Sequence, residues 1–303
     1  MRPALIFKFL IMIFLLSSFS VTFANSINKN LKSSYAKAFN KCKSIVVDRI
    51  RQEEDMPPNY YGIAFYKPNF IMPYYYTGSP YDSVYKNYTP LDEPLNKNEF
   101  KFQFSVKAPL LQNILNYPAS LYAAYTQLSY WQLYNKTSFI RENDYEPEFF
   151  LSTKVRWNVF KGWNINLLNV GVVHQSNGFG TDLQRSWNRI YVDAIASSGN
   201  WIISLKPWYA ATKNGNNSDI EQYLGYGRIL LSYKCNNHVV SLQARSLFVQ
   251  SSKRATGELS WSFPITKYIK GYVQGFTGYG QSLIEYNHRT NSVGFGFALS
   301  DWA

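Results

Sequence analysis

"FKFQFSVKA", residues 100–108, alternates without a break. On an extended chain Phe100, Phe102, Phe104 and Val106 share one side. Lys101, Gln103, Ser105 and Lys107 share the other. A period of two marks a strand with one face in apolar surroundings and one in polar surroundings. The fold turns on how often this pattern recurs and on what the apolar face meets.

It recurs to the end of the chain. "NFIMPYYY" at 69–76 is a weak first segment. Further segments lie near 118–132, 147–160, 163–176, 187–197, 201–210, 222–234, 237–249, 254–264, 268–279 and 291–300. With 100–108 they make twelve, and bacterial outer-membrane barrels use an even number of antiparallel strands. Short turns near 161, 198, 234 and 264 alternate with longer polar links near 133–146, 177–186, 211–221 and 280–290. One rim of short turns and one of long loops is the arrangement of such barrels, with the short turns in the periplasm. The expectation is an all-β fold, a twelve-stranded antiparallel transmembrane β-barrel over 68–303. A soluble β-sandwich also alternates and is the competing architecture.

Composition favours the barrel. The chain is 18% aromatic, with 25 Tyr and 21 Phe, and aromatic residues collect where an apolar band meets water. No stretch after the N-terminus approaches the roughly 20 apolar residues of a membrane helix. Residues 1–24 read as an export signal: Arg2 and Lys8, then "FLIMIFLLSSFSV", then a small-x-small site ending at Ala24. Residues 25–67 read as a polar periplasmic extension. The net charge of +12 comes without a nucleic-acid motif, so lipid, and not nucleic acid, is the expected anionic partner. Cys42 and Cys235 both fall on the expected periplasmic side, where oxidation is possible; free thiols and a disulfide both stay open.

The same alternation aims a polar group at the lipid. In "LNVGVVHQSNG", Leu168, Val170, Val172, His174 and Ser176 share the apolar face. In "WNRIYVDAIA", Asn188, Ile190, Val192, Ala194 and Ala196 do so, with Trp187, Arg189, Tyr191 and Asp193 inward. The two segments are hairpin neighbours, so His174, Ser176 and Asn188 form one outward patch. Polar residues there are costly unless they pair or act. A serine hydroxyl becomes a nucleophile when an imidazole takes its proton, and an amide can orient that imidazole. Backbone N–H groups at Ser176 and Gly178 are candidates for an oxyanion hole. His-x-Ser alone is weakly specific, and a histidine near a loop is commonly structural. Arg141, Glu142 and Glu146 read as a solvated rim or a lumen network, and Arg189 with Asp193 as part of a lumen ion-pair network.

"HQSNG" followed by "RSWNRIY" resembles the signature of the outer membrane phospholipase A family. "YTQLSYWQLYN", "RENDYEPEFF", "GNWIISLKPWY", "PITK" and "YGQSLIEYN" agree in order, so the likeness runs from about residue 98 to the end. The resemblance implies a twelve-stranded barrel in the bacterial outer membrane. It implies calcium-dependent hydrolysis of phospholipid acyl esters at the A1 and A2 positions, and of lysophospholipids. Ser176 would be the nucleophile, His174 the base and Asn188 the orienting amide, with the Ser176 and Gly178 N–H groups as oxyanion donors. It implies an active homodimer with Gln127 at a polar dimer contact. Calcium (Ca2+) would be held by carbonyls at Phe179 and, from the partner, near Thr137. Here the sequence departs from the family pattern: the hydroxyl ligand falls on Gln184, and the loop aspartate falls on Thr181 with Asp182 adjacent. The alternative function is a structural barrel or channel that retains the signature without catalysis.

Overall fold

The computed structural model describes residues 46, 49, 62–114, 117–246 and 254–303. The export signal, Cys42 and nearly all of the expected extension lie outside the described residues. Thirteen strands follow in order: β1 (Ala64–Phe65), β2 (Asn69–Thr77), β3 (Asn98–Leu111), β4 (Ala119–Gln132), β5 (Phe139–Phe160), β6 (Trp163–Ser176) and β7 (Ser186–Ser198). Then come β8 (Trp201–Lys213), β9 (Gly227–Cys235), β10 (His238–Arg245), β11 (Thr256–Pro264), β12 (Lys270–Tyr279) and β13 (Arg289–Ser300). Each pairs antiparallel with its neighbour, and β13 returns to β2, closing a twelve-stranded barrel from β2 to β13.

A two-residue strand outside the ring of twelve, β1, begins four residues before the expected boundary at 68. β1 pairs with the same side of β3 that β2 uses, through Phe65↔Val106 and then Phe70↔Gln103. The break holds Pro68, which has no N–H to give a ladder. Asn69 bridges it: its Nδ2 donates to the carbonyls of Lys67 and Ser105, both at 2.9 Å, and its Oδ1 accepts from Ser105 N at 2.7 Å.

Connections of 161–162, 199–200, 236–237 and 265–269 lie on one rim, with 112–118. Links of 78–97, 133–138, 177–185, 214–226, 246–255 and 280–288 lie on the other. The expected asymmetry is present. Two boundaries move. The link expected at 133–146 ends at 138, because β5 runs eight residues further out, paired with β4 to Gln132↔Phe139. β9 begins at Gly227 and not at 222, because a helical turn, α1 (Glu221–Leu224), precedes it. Cys235 is exposed on the short-turn rim.

Outward residues are apolar, as at Phe104, Phe149, Val172, Leu242, Leu259 and Phe295. Closing the sheet removes every unpaired edge, the one way strands can cross lipid. The inward face is filled. Trp187, Tyr191, Trp208, Ile220, Leu224 and Leu283 form one buried cluster, and Phe70, Met72, Tyr75, Tyr130 and Tyr272 another. A cavity of about 150 Å³ remains among side chains.

The outer extension of β5 explains the "RENDYEPE" pattern. Glu142, Asp144, Glu146 and Glu148 alternate inward and accept bonds from across the lumen. Glu142 Oε1 accepts from Ile284 N at 2.6 Å and Asp144 Oδ2 from Leu283 N at 3.1 Å, drawing the 280–288 loop into the barrel mouth. Arg141 grips Glu99 with Nε at 2.8 Å and Nη2 at 3.0 Å, and reaches Glu285 at 3.3 Å. These residues are thus a buried network and not a solvated rim. Arg189 does not pair with Asp193, which meets Arg228 at 3.8 Å and Ser204 Oγ at 2.6 Å.

Candidate active site

β6 and β7 are in direct register at the point of interest, with His174↔Asn188 and Ser176↔Ser186. Their inward residues are buried: Asn169, Val173 and Asn177 on β6 and just past it, Trp187, Tyr191 and Asp193 on β7. His174 and Asn188 are exposed on the outer wall. His174 Nδ1 lies 2.8 Å from Asn188 Oδ1. Asn188 Nδ2 donates to Thr212 Oγ1 on β8 at 2.6 Å. With its N–H committed to threonine, the amide presents oxygen to the ring, so the neutral imidazole carries its proton on Nδ1. Nε2 is then the nitrogen able to take a proton. Ser176, half-buried, stands two residues outward on the same strand face, opposite Tyr145 on β5.

The next residues turn sharply. Gly178 has φ +70°, and a Cβ there would lie 2.9 Å from Tyr145 Cε2. Asn177, 3% exposed, shapes the loop from inside. Its Oδ1 accepts from Phe179 N at 3.3 Å and Arg185 N at 3.0 Å, and its Nδ2 donates to Leu183 O at 2.7 Å. Asn177 N donates to Arg185 O at 3.2 Å. The N–H groups on either side of Gly178 are thereby engaged within the loop. Asn177 and Thr212 are positions that sequence reasoning missed. An Asn-Gly pair signals a turn, but nothing local reveals which loop atoms the amide will bind, and Thr212 is reached only by strand pairing.

The remaining expected positions lie around this patch. Phe179 is half-buried against Tyr85, Leu95, Leu183 and Ile284. Asp182 and Gln184 are exposed on the same loop, and their carbonyls accept from Arg185 Nη1 at 2.6 and 2.9 Å. Thr181 has φ +56° and its carbonyl accepts from Asn216 Nδ2 at 2.8 Å. Among the described residues no cluster of three or more His, Cys, Asp and Glu could hold a metal. Thr137 is exposed in the β4–β5 turn. Gln127, on the outer face of β4, bonds Tyr125 Oη at 3.1 Å and Ser129 Oγ at 3.0 Å. The other histidines have structural contacts: His288 Nε2 meets Ser79 O at 2.8 Å and its ring stacks on Tyr81, while His238 lies beside Trp261 at the β9–β10 turn.

The family model described as phospholipase A1 matches residues 46–299. The chain belongs to the phospholipase A1 family. A phospholipase A1 of Klebsiella pneumoniae is 35% identical over 258 residues, 84% of this chain and 87% of that protein. An active-site asparagine-to-alanine mutant of outer membrane phospholipase A from Escherichia coli superposes with TM-score 0.78 at 34% identity, covering 83% and 97% of the two chains. A calcium-bound dimer of the Salmonella typhi outer membrane phospholipase gives TM-score 0.74 at 35% identity, covering 79% and 92%. Family and fold together make this chain a phospholipase, an ester hydrolase built as a bacterial outer-membrane β-barrel.

Proposed function

We propose that this phospholipase A1 family member hydrolyses phospholipid and lysophospholipid acyl esters, at both glycerol positions, through Ser176, His174 and Asn188. One observation carries the reading: the 2.8 Å contact of His174 Nδ1 with Asn188 Oδ1 on the lipid-facing wall. Buried pairs are common inside a barrel, but a polar pair facing lipid costs stability without a task. The active-site asparagine of the Escherichia coli relative is consistent with this role for Asn188.

His174 Nε2 accepts the Ser176 proton as Oγ attacks the ester carbonyl, and returns it to the leaving alcohol. Asn188 holds the imidazole in the needed tautomer, with Thr212 fixing the amide. The N–H groups of Ser176 and Gly178 face the developing oxyanion. Water then cleaves the acyl-serine with the same base. Substrate reaches the site sideways from the bilayer, so acyl chains never leave apolar surroundings.

The loop donors fit part of a calcium shell. Phe179 carbonyl, the Asp182 carboxylate and the Gln184 amide are hard oxygens on one short loop, but calcium takes six to eight. One carboxylate cannot make a closed cage, so the set suits an ion shared with a second copy, whose Thr137 carbonyl would add a fourth donor, with water filling the remaining positions. When bound, calcium supplies positive charge beside the oxyanion. The calcium-bound dimer of the Salmonella typhi relative and the outward Gln127 agree with a homodimer.

The test measures fatty acid release from mixed micelles of phospholipid and detergent, with calcium and with chelator. Ser176→Ala should abolish release, and Asn188→Ala should lower it by less, about 10- to 1000-fold. Chelation should suppress the wild type. Full activity in Ser176→Ala would overturn the nucleophile. Ion conductance in planar bilayers together with no release from the wild type would favour a silent barrel.

A further inference from the structure

We propose that Gln175 is a positioning residue that sets the catalytic geometry from inside the barrel. The inference rests on the serine–histidine–asparagine reading above. Gln175 lies between His174 and Ser176, and alternation turns its side chain into the lumen. There its Oε1 accepts two bonds, from Trp187 Nε1 at 2.8 Å and from Arg189 Nη2 at 3.0 Å. Trp187 and Arg189 are the two neighbours of Asn188. One inward oxygen therefore ties together the backbone segments that carry all three outward residues.

The clamp sits near the outer end of the ladder. The β6–β7 pairing ends at Ser176↔Ser186, one residue beyond Gln175↔Trp187. On its other side β7 has a register irregularity against β8 between Asn188 and Arg189. Strand ends with a bulge beside them fray and shift in register more readily than strand centres. A displacement of about 1 Å at a catalytic group can cost about 100-fold in rate.

The partners of Gln175 are themselves held. Trp187 is 1% exposed and meets Trp208 edge-on, with centroids 6.1 Å apart. The Arg189 guanidinium lies 4.2 Å from the Trp187 ring centroid and 5.3 Å from that of Trp208. The aromatic pair fixes the direction of both donors, and the glutamine oxygen transmits that direction to β6. Among the described residues no carboxylate lies within 4 Å of the Arg189 guanidinium, and its bond to the Gln175 oxygen is charge-assisted. Gln175 contacts no substrate in this arrangement; it acts through the strand.

Three variants separate positioning from a merely structural role. Gln175→Leu removes the acceptor, Gln175→Glu keeps acceptor oxygens at the same reach, and Gln243→Leu breaks a comparable lumen bond, to Arg228 Nη1 at 3.2 Å, away from the site. Heat-modifiable mobility on gels reports a folded barrel. Micelle kinetics give kcat and KM, and a fluorophosphonate reports the rate at which Ser176 is labelled. In folded Gln175→Leu, kcat and labelling should fall together by about 10- to 100-fold with KM unchanged, while Gln175→Glu stays within about threefold of wild type. Gln243→Leu should match wild type. Unchanged labelling and kcat in folded Gln175→Leu, or an equal loss in Gln243→Leu, would overturn the proposal. Should Gln175→Leu not fold, Gln175→Asn keeps the amide but is one methylene short, and full activity there would overturn it as well. Full activity of Ser176→Ala in the same assay would instead sink the underlying nucleophile assignment.

Discussion

At the scale of single residues, the proposed oxyanion donor at Gly178 depends on a turn that only glycine makes comfortably. Gly178 has φ +70° and sits against the Tyr145 ring. A side chain there costs about 1 kcal/mol of backbone strain and pushes on the ring of Tyr145, the residue opposite Ser176 in the β5–β6 ladder. Gly178→Ala should therefore leave the barrel folded, by gel mobility, and cut fatty acid release by about 10- to 100-fold through a displaced oxyanion donor. Release at the wild-type rate would remove Gly178 from the oxyanion assignment. His174, Ser176 and Asn188 were legible in the sequence because alternation places each on the lipid side. Asn177 and Thr212 were not, since the first acts through loop backbone N–H and C=O groups and the second through a strand that the sequence does not pair residue by residue.

At the scale of elements, strand periodicity does most of the work. Leu231, Leu242 and Leu259 stand in register across β9, β10 and β11 and form an outward apolar row far from the site. A charge in the middle of that row meets hydrocarbon. Leu242→Arg should lower unfolding free energy in lipid vesicles by about 2–4 kcal/mol, with micelle hydrolysis by the folded fraction unchanged. A loss below a few tenths would mean that this row does not face lipid. The twelve segments were readable, yet the outer end of β5 was not. Its carboxylates look like loop residues because polar alternation at that height is matched by neither lipid nor solvent, but by a folded-in loop 140 residues away in sequence.

For the whole molecule, the barrel mouth is closed by charge. Arg141 is 2% exposed and binds Glu99 and Glu285, with Glu142 at 3.8 Å. Burial pushes the Glu285 carboxyl above its ordinary value; Arg141 opposes the shift, and Glu99 and Glu142 add to it. A raised carboxyl value means that the folded state holds this proton more tightly than the unfolded chain. The group's contribution to stability is then present at acidic pH and is lost as pH rises through the folded value. Arg141→Ala strands the carboxylates and should cost about 3–5 kcal/mol. The deficit in urea unfolding should be larger at neutral than at mildly acidic pH, where protonation relieves the repulsion. A pH-independent deficit would mean that Arg141 acts by packing alone.

The sequence by itself determined the twelve crossings, the sorting of their two faces and the outward aim of the His174–Ser176–Asn188 group, because side-chain period is a local property of an extended chain. Tertiary structure alone decided the partners: Thr212 for the Asn188 amide, the loop backbone groups for Asn177, the Trp187 and Arg189 donors for Gln175, and Arg141 for three carboxylates. Those contacts depend on strand register and on which side chains meet across a closed lumen. Neither is encoded in periodicity, since a barrel wall alternates in the same way whatever stands opposite it.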